Sequence, residues 1–282
     1  MHVRSCWRLR SSTSPNVLIV ATILSIVATA AAPPPNAPIP RDPVALATRL
    51  NETDAALESA IDRWKHRAQG RPPRDVTLLA LYQQRIYIAL TTRPGLAGAA
   101  LERLPAGRAA HLRDSLFARA DLLRLAEPRP LSAFRIAQPP PAGVLLRYYR
   151  EAERRFGVAW NVLAAVNFVE SAFGKLRSSS TAGAQGPMQF LPSTWRRYGL
   201  GGDVHDPHDA ILGAANYLHA AGAPGRYQRA LYAYNPSQAY VDGVLHYAHR
   251  MRVDPRAFLE YYAWQVFVRT PRGLRRLTGP GL

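Results

Sequence analysis

Cysteine is almost missing from this chain: Cys6 is the only one in 282 residues, and it precedes the first apolar run. Neither a disulfide framework nor a cysteine-based metal site can be built from it, and a lipid anchor would need a cysteine after that run. Lysine is nearly as scarce, since Lys65 and Lys175 are the only two among 36 basic residues. Acids number 19, so the formal net charge is +17 and the pI is near 10.8. Such an excess suits a polyanion: nucleic acid, an anionic polymer or an acidic lipid surface. The preference for arginine goes with plentiful Ala, Pro and Gly and is ascribed to GC-rich coding. Long hydrophobic runs are confined to the N-terminus, which excludes a polytopic membrane protein. Sustained alternation of β-branched residues is also missing, which points to helices. With 48% hydrophobic and 20% charged residues the chain can still bury a core, in one or two domains.

The N-terminal run follows Arg4, Arg8 and Arg10 and passes from Val17 through Ile26 into Ala28-Thr29-Ala30. A basic start, an apolar middle and a small-residue end make residues 1–32 a signal peptide, with an uncleaved anchor as the competing reading. Residues 33–41 form a proline-rich linker, which favours cleavage. Removal of Arg4, Arg8 and Arg10 with no acid leaves the chain at +14. Export to the periplasm or cell wall makes nucleic acid a poor partner.

Residues 42–126 read as a small helical domain of three helices. The first is capped by Asp42 ahead of Pro43 and runs to near Gly70, the second runs from Pro72-Pro73 to Pro94-Gly95, and the third from Gly107 to Leu125. Residues 127–142 are rich in proline and cannot be regular helix, which makes them the best domain boundary. Residues 143–252 return to helical periodicity and hold almost all the chemistry. Residues 253–282 read as a helix from Asp254-Pro255 through Phe267, then a basic tail with Arg269, Arg272, Arg275 and Arg276.

Within 143–252, the apolar segment Trp160 to Gly174 contains one carboxylate, Glu170. A carboxylate beside a core helix is desolvated, and at the helix C-terminus it faces the negative end of the dipole; both raise its pKa, as a general acid requires. From Ser171 to Gly202 there is no acid at all. That stretch is instead rich in Ser, Thr, Gly, Gln and aromatics, a composition suited to hydrogen-bonding and stacking on neutral sugars.

Four ordered motifs carry a resemblance. Glu170-Ser171, then Gly186-Pro187-Met188-Gln189, then Asp206-Pro207 through Tyr217-Leu218, then Ala233-Tyr234-Asn235 resemble the goose-lysozyme-like lytic transglycosylases, specifically secreted murein enzymes of actinobacterial type. The resemblance implies an all-α, lysozyme-like catalytic domain acting on peptidoglycan glycan strands without cofactor or metal. It implies Glu170 as sole acid and base, Gln189 lining the saccharide cleft, Tyr234 hydrogen-bonded to the carboxylate, and Asn235 on the substrate's N-acetyl group, with Ser171 and Met188 supporting the cleft. Two positions depart from the family pattern: Pro187 replaces leucine, and Pro236-Ser237-Gln238 follows Tyr-Asn where Ala-Gly-Pro is usual. A single carboxylate suffices if the 2-acetamido group assists. Glu170 would protonate the β-1,4 oxygen between N-acetylmuramic acid and N-acetylglucosamine, then deprotonate the muramoyl C6 hydroxyl to close a 1,6-anhydro ring.

Other features admit competing readings. The cluster Asp203, His205, Asp206, His208 and Asp209 could hold a metal, but Asp206 ahead of Pro207 explains half of it as a helix start. Trp195 is either a sugar platform or core. Tyr217, Tyr227, Tyr232, Tyr240 and Tyr247 are read as core or cleft wall. The rivals to a transglycosylase are a hydrolytic muramidase and a non-catalytic peptidoglycan-binding module. Anionic wall polymers could engage the basic surface.

Overall fold

A computed structural model describes residues 32–67 and 70–282. The signal segment lies outside the described residues. No described helix is long and apolar enough to cross a membrane.

Helix α1 (Pro43–Trp64) begins where the sequence places it, with Asp42 Oδ1 accepting from Ala45 N at 2.9 Å. It ends at Trp64 in a short 3-10 turn, Lys65–Arg67. Helix α2 (Arg74–Thr91) follows Pro73 as expected. Pro94 does not merely stop it: it sits in the first turn of a further helix, α3 (Pro94–Leu101), ahead of α4 (Ala106–Leu125). A proline that ends one helix is preorganised to start the next. After residues 127–141 come α5 (Ala142–Phe156), α6 (Trp160–Ser171), α7 (Pro192–Tyr198), α8 (Pro207–Ala220), α9 (Tyr227–Tyr234), α10 (Gln238–Val253) and α11 (Arg256–Ala263).

The fold is all-α with one small addition. The C-terminal helix ends at Ala263, and residues expected in a basic tail form an antiparallel hairpin, β1 (Phe267–Thr270) and β2 (Gly273–Arg276), with Phe267 opposite Arg276. Val266, Val268 and Thr270 are buried at every second position, so a short alternation does exist here. The turn closes through Gly273 at φ 90° and Thr270 Oγ1 donating to Gly273 O at 2.7 Å. Arg269 is not a solvated tail residue: its Nη1 caps α4 by donating to Leu123 O and Ala126 O at 3.1 and 2.9 Å.

The helices on both sides of the proline-rich stretch share one hydrophobic core. Helix α10 lies between α4 and α6, and α11 packs on α2. The stretch itself is pinned as extended chain, with Ala137 N donating to Lys175 O and Arg177 N to Arg135 O, both at 2.9 Å. At the centre, Trp264 is 1% exposed and meets Tyr87 and Tyr261 edge-on, with ring centroids 5.8 and 4.8 Å away. Its indole Nε1 donates to Gln83 at 3.0 Å, the partner a buried indole requires.

Candidate active site

Helix α6 is buried on nearly every face, because its sequence WNVLAAVNFVES is apolar except at positions that find partners. Asn161 donates to Ala248 O at 3.0 Å, and Asn167 accepts from Tyr149 Oη at 2.6 Å. The helix ends before Gly174. Ala172, Phe173 and Gly174 are all left-handed, at φ 50°, 65° and 84°. For the two non-glycine residues this costs on the order of 1–2 kcal/mol each. What offsets it is tertiary: the Phe173 ring is fully buried and stacks 5.2 Å from Phe168, and Ser171 Oγ accepts from Gly174 N at 2.8 Å. The abrupt stop leaves Glu170 in the last turn, half-buried.

The Gly-Pro-Met-Gln motif is a tight turn. Gln185 and Phe190 exchange both backbone hydrogen bonds across it, at 2.9 and 2.8 Å. Gly186 has φ 74°, and a Cβ there would lie 1.9 Å from Val204 O, so only glycine lets the two loops approach. Three side chains bolt the turn down. Pro187 O accepts from Ser171 Oγ at 2.6 Å and from Asn167 Nδ2 at 2.8 Å, while Met188 O accepts from Tyr234 Oη at 2.7 Å. The proline that departs from the family pattern is thus an ordinary occupant, since its carbonyl does the work.

Ser171 and Met188 are both fully buried, so they shape the loop from behind and offer no atom to a ligand. Gln189 is half-buried at φ 51°, with Nε2 donating to Gly186 O at 2.9 Å. Asn235 caps α9, is half-buried, and makes no side-chain hydrogen bond among the described residues.

One expectation is corrected. Tyr234 does not bond Glu170, because its hydroxyl is committed to Met188 O. The partner of Glu170 is Tyr240, whose Oη donates to Oε1 at 2.6 Å. The two tyrosine rings stack nearly parallel, centroids 6.5 Å apart. Tyr240 stands in the first turn of α10, and Ser237 Oγ caps that helix by accepting from Tyr240 N at 3.4 Å. Ser237, within the departure Pro236-Ser237-Gln238, therefore caps the start of α10, whose first turn presents Tyr240 to the carboxylate. The sequence signal available at Ser237 is that of an N-cap, which marks the start of α10 but not the contact of Tyr240 with Glu170.

Burial raises the Glu170 carboxyl from 4.5 to about 7, against the lowering effect of the Tyr240 hydrogen bond. Burial, with the Glu170 charge adding to it, also holds the Tyr234 and Tyr240 phenols well above 10, so both stay neutral donors. No other acid contributes to the Glu170 shift. A lone carboxyl poised near neutrality can give a proton in one step and take one in the next.

The neighbouring ambiguities resolve. Trp195 lies against α8: a Cβ at Gly213 would sit 2.7 Å from Trp195 Cζ3, and Phe190 meets the indole edge-on at 5.1 Å. It is core. In the Asp/His cluster, ligand atoms of Asp206, His208 and Asp209 lie within 4.8 Å of one another. Asp206 Oδ1, however, caps α8 by accepting from His208 N and Asp209 N, and Asp209 Oδ2 accepts from Asp203 N. His208 Nε2 pairs with Glu151 at 3.0 Å. These are the contacts of a helix start.

The transglycosylase SLT domain family matches residues 147–250, the span from α5 to α10 that holds Glu170. The membrane-bound lytic murein transglycosylase F of Thiobacillus denitrificans is 30% identical over 124 residues, covering 41% of this chain and 26% of that protein. The chain thus spans about a quarter of the length of the curated relative it matches. No solved structure matches the chain.

Proposed function

We propose that this protein is a peptidoglycan lytic transglycosylase of the periplasm or cell wall, cleaving the β-1,4 bond between N-acetylmuramic acid and N-acetylglucosamine. The observation that carries the reading is half-buried Glu170 in the matched span, its carboxyl raised to about 7 by burial with no other charged group acting on it. Protonated Glu170 donates to the glycosidic oxygen as the bond to C1 breaks, and the 2-acetamido group stabilises C1 from the other face. The resulting carboxylate then takes the proton of the muramoyl C6 hydroxyl, whose oxygen bonds C1. Glu170 ends protonated again, no water is consumed, and the product is 1,6-anhydromuramic acid. Gln189 and Asn235, both with accessible polar groups, bind the glycan; Ser171, Met188 and Tyr234 act through the loop that they hold.

Mass spectrometry of muropeptides released from purified peptidoglycan tests this. The wild type should give products one water lighter than hydrolysed ones, and Glu170→Gln should give none. Hydrated products would show a muramidase instead. Binding without any soluble product would show a non-catalytic module.

A further inference from the structure

Helix α10 carries Tyr240 in its first turn and Arg250 ten residues later, about 15 Å along the axis. Around Arg250, between α1, α4 and the end of α10, lies a cavity of 440 Å³ that the chemistry at Glu170 does not use. Arg250 is only 8% exposed, yet its guanidinium makes no hydrogen bond among the described residues, and its Nε is buried without a partner. The nearest acid oxygen, Asp114 Oδ2, is 3.9 Å from Nη1, beyond hydrogen-bond reach. The other cations on the cavity wall are committed. Arg108 is bidentate to Glu58 at 2.9 and 3.2 Å, Arg256 holds Asp254 at 3.0 and 3.1 Å, and His111 faces Glu260 at 3.1 Å. Each wall acid, Glu58 and Asp254, therefore has its own arginine, and Arg250 is left with only the distant carboxylate of Asp114.

A second, independent feature opens on the same space. Helix α4, 20 residues long, starts at Ala106 behind Pro105 with no side-chain cap and no acid in its first turn. Its first bonded amide is Ala109 N, to Pro105 O, which leaves the amides of Ala106, Gly107 and Arg108 without backbone acceptors. Pro105, Gly107 and Arg108 line the cavity together with Arg250. Free amides at the positive end of a helix dipole, on the same cavity as a buried guanidinium that makes no hydrogen bond, form the donor set that a phosphate group satisfies.

We propose that this cavity is a phosphate-binding site, in which Arg250 and the first turn of α4 hold the phosphate oxygens. The cavity is larger than a bare phosphate, so the group can arrive as the free ion or as a monoester of a small polyol. The site is separate from Glu170 and does not depend on the activity proposed there.

The test is thermal unfolding and calorimetric titration of the full chain at constant ionic strength with inorganic phosphate, glycerol 3-phosphate and acetate. Inorganic phosphate should bind saturably and raise the melting temperature. Arg250→Met should lower the apparent affinity at least tenfold, and Arg250→Lys, which keeps the charge but loses the fork, by about tenfold. Substitution of the exposed neighbour, Arg252→Gln, should leave binding unchanged. Tighter binding of glycerol 3-phosphate identifies the monoester as the natural form, and equal or weaker binding identifies the free ion. In chloride alone Arg250→Met should melt no lower than wild type, because it removes a buried charge that makes no hydrogen bond. The proposal is overturned by a non-saturating effect, by equal binding in Arg250→Met, by equal affinity for acetate, or by collapse of Arg250→Met in chloride.

Discussion

Replacing Tyr240 by Phe deletes one oxygen, and its effect can be worked out before the experiment. Tyr240 is 2% exposed and donates to Glu170 Oε1 at 2.6 Å. A hydrogen bond to a charged acceptor is worth roughly 1.5–3 kcal/mol, and here it favours the carboxylate over the carboxylic acid. At about 1.4 kcal/mol per unit, its loss raises the Glu170 pKa by about 1–2 units above its present value of about 7. Tyr234 cannot take over, because its hydroxyl is held by Met188 O at 2.7 Å. In the proposed reaction cleavage needs the proton on Glu170, so the alkaline limb of the rate profile should move to higher pH by the same amount. The plateau should fall by about tenfold, since a weaker acid transfers its proton less readily and the carboxyl loses its anchor. Initial rates of soluble product release from purified peptidoglycan, measured across neutral and alkaline pH, give both readouts. A limb that superimposes on the wild type, or moves toward acid, refutes the assignment of Tyr240 as the group positioning Glu170.

Glu170→Gln should stabilise the fold above pH 7, because the wild-type contribution of a raised carboxyl is complete below 4.5 and is lost as pH rises through about 7. The gain reaches up to roughly 3 kcal/mol at pH 8 and vanishes below 4.5, as read by chemical denaturation of both proteins; an equal difference at every pH would contradict it. Gly186→Ala should cost at least about 2 kcal/mol and most of the activity, since its Cβ would strike Val204 O, and melting with a turnover assay will show whether the loop tolerates it. Ser171→Ala should lose about 1–3 kcal/mol in urea denaturation by orphaning Gly174 N and weakening the hold on Pro187 O. Lys175→Met should cost a similar amount, because the Nζ donates to Tyr262 O and Trp264 O at 2.5 and 2.6 Å, joining the end of α11 to the segment after α6.

Helix existence was legible at Asp42 before α1, Pro73 before α2 and Asp206 before α8, which all act as their residue types require, but not at Pro94, which reads as a stop and starts α3. Glu170 was legible too, as the only acid between an apolar helix and an acid-free loop. What escaped were effects that depend on distant partners. The end of α6 falls at Ala172 and not at Gly174, because the aromatic cluster around Phe173 overrides the αL preference of glycine. The hairpin was missed because its alternation spans only Val266 to Thr270 and its burial is decided by packing on a helical core. Tyr240 was counted among core residues because nothing local distinguishes a tyrosine that fills space from one whose hydroxyl ends on a carboxylate 70 residues away in sequence. Ser171 and Met188 belong to the motifs yet lie wholly inside, since a motif marks what a loop needs as well as what a ligand touches.

The basic charge bears on the site by where it is absent. A carboxyl that must hold a proton near neutrality cannot sit beside a guanidinium or an ammonium, which would pull its pKa back down. The segment after Glu170 nevertheless contains Lys175 and Arg177, and the chain carries +17 overall. The fold turns those two away. Lys175 spends its ammonium on the carbonyls of Tyr262 and Trp264, and Arg177 reaches toward His205 O at 3.5 Å. Arg129, folded back from the proline-rich stretch, goes to Ser179 O at 3.2 Å. No cation contributes to the Glu170 shift, and the only group that opposes its rise is the neutral phenol of Tyr240. A neutral donor tunes and aims the carboxyl without fixing it as an anion, so the local arrangement preserves a usable acid inside a strongly basic protein.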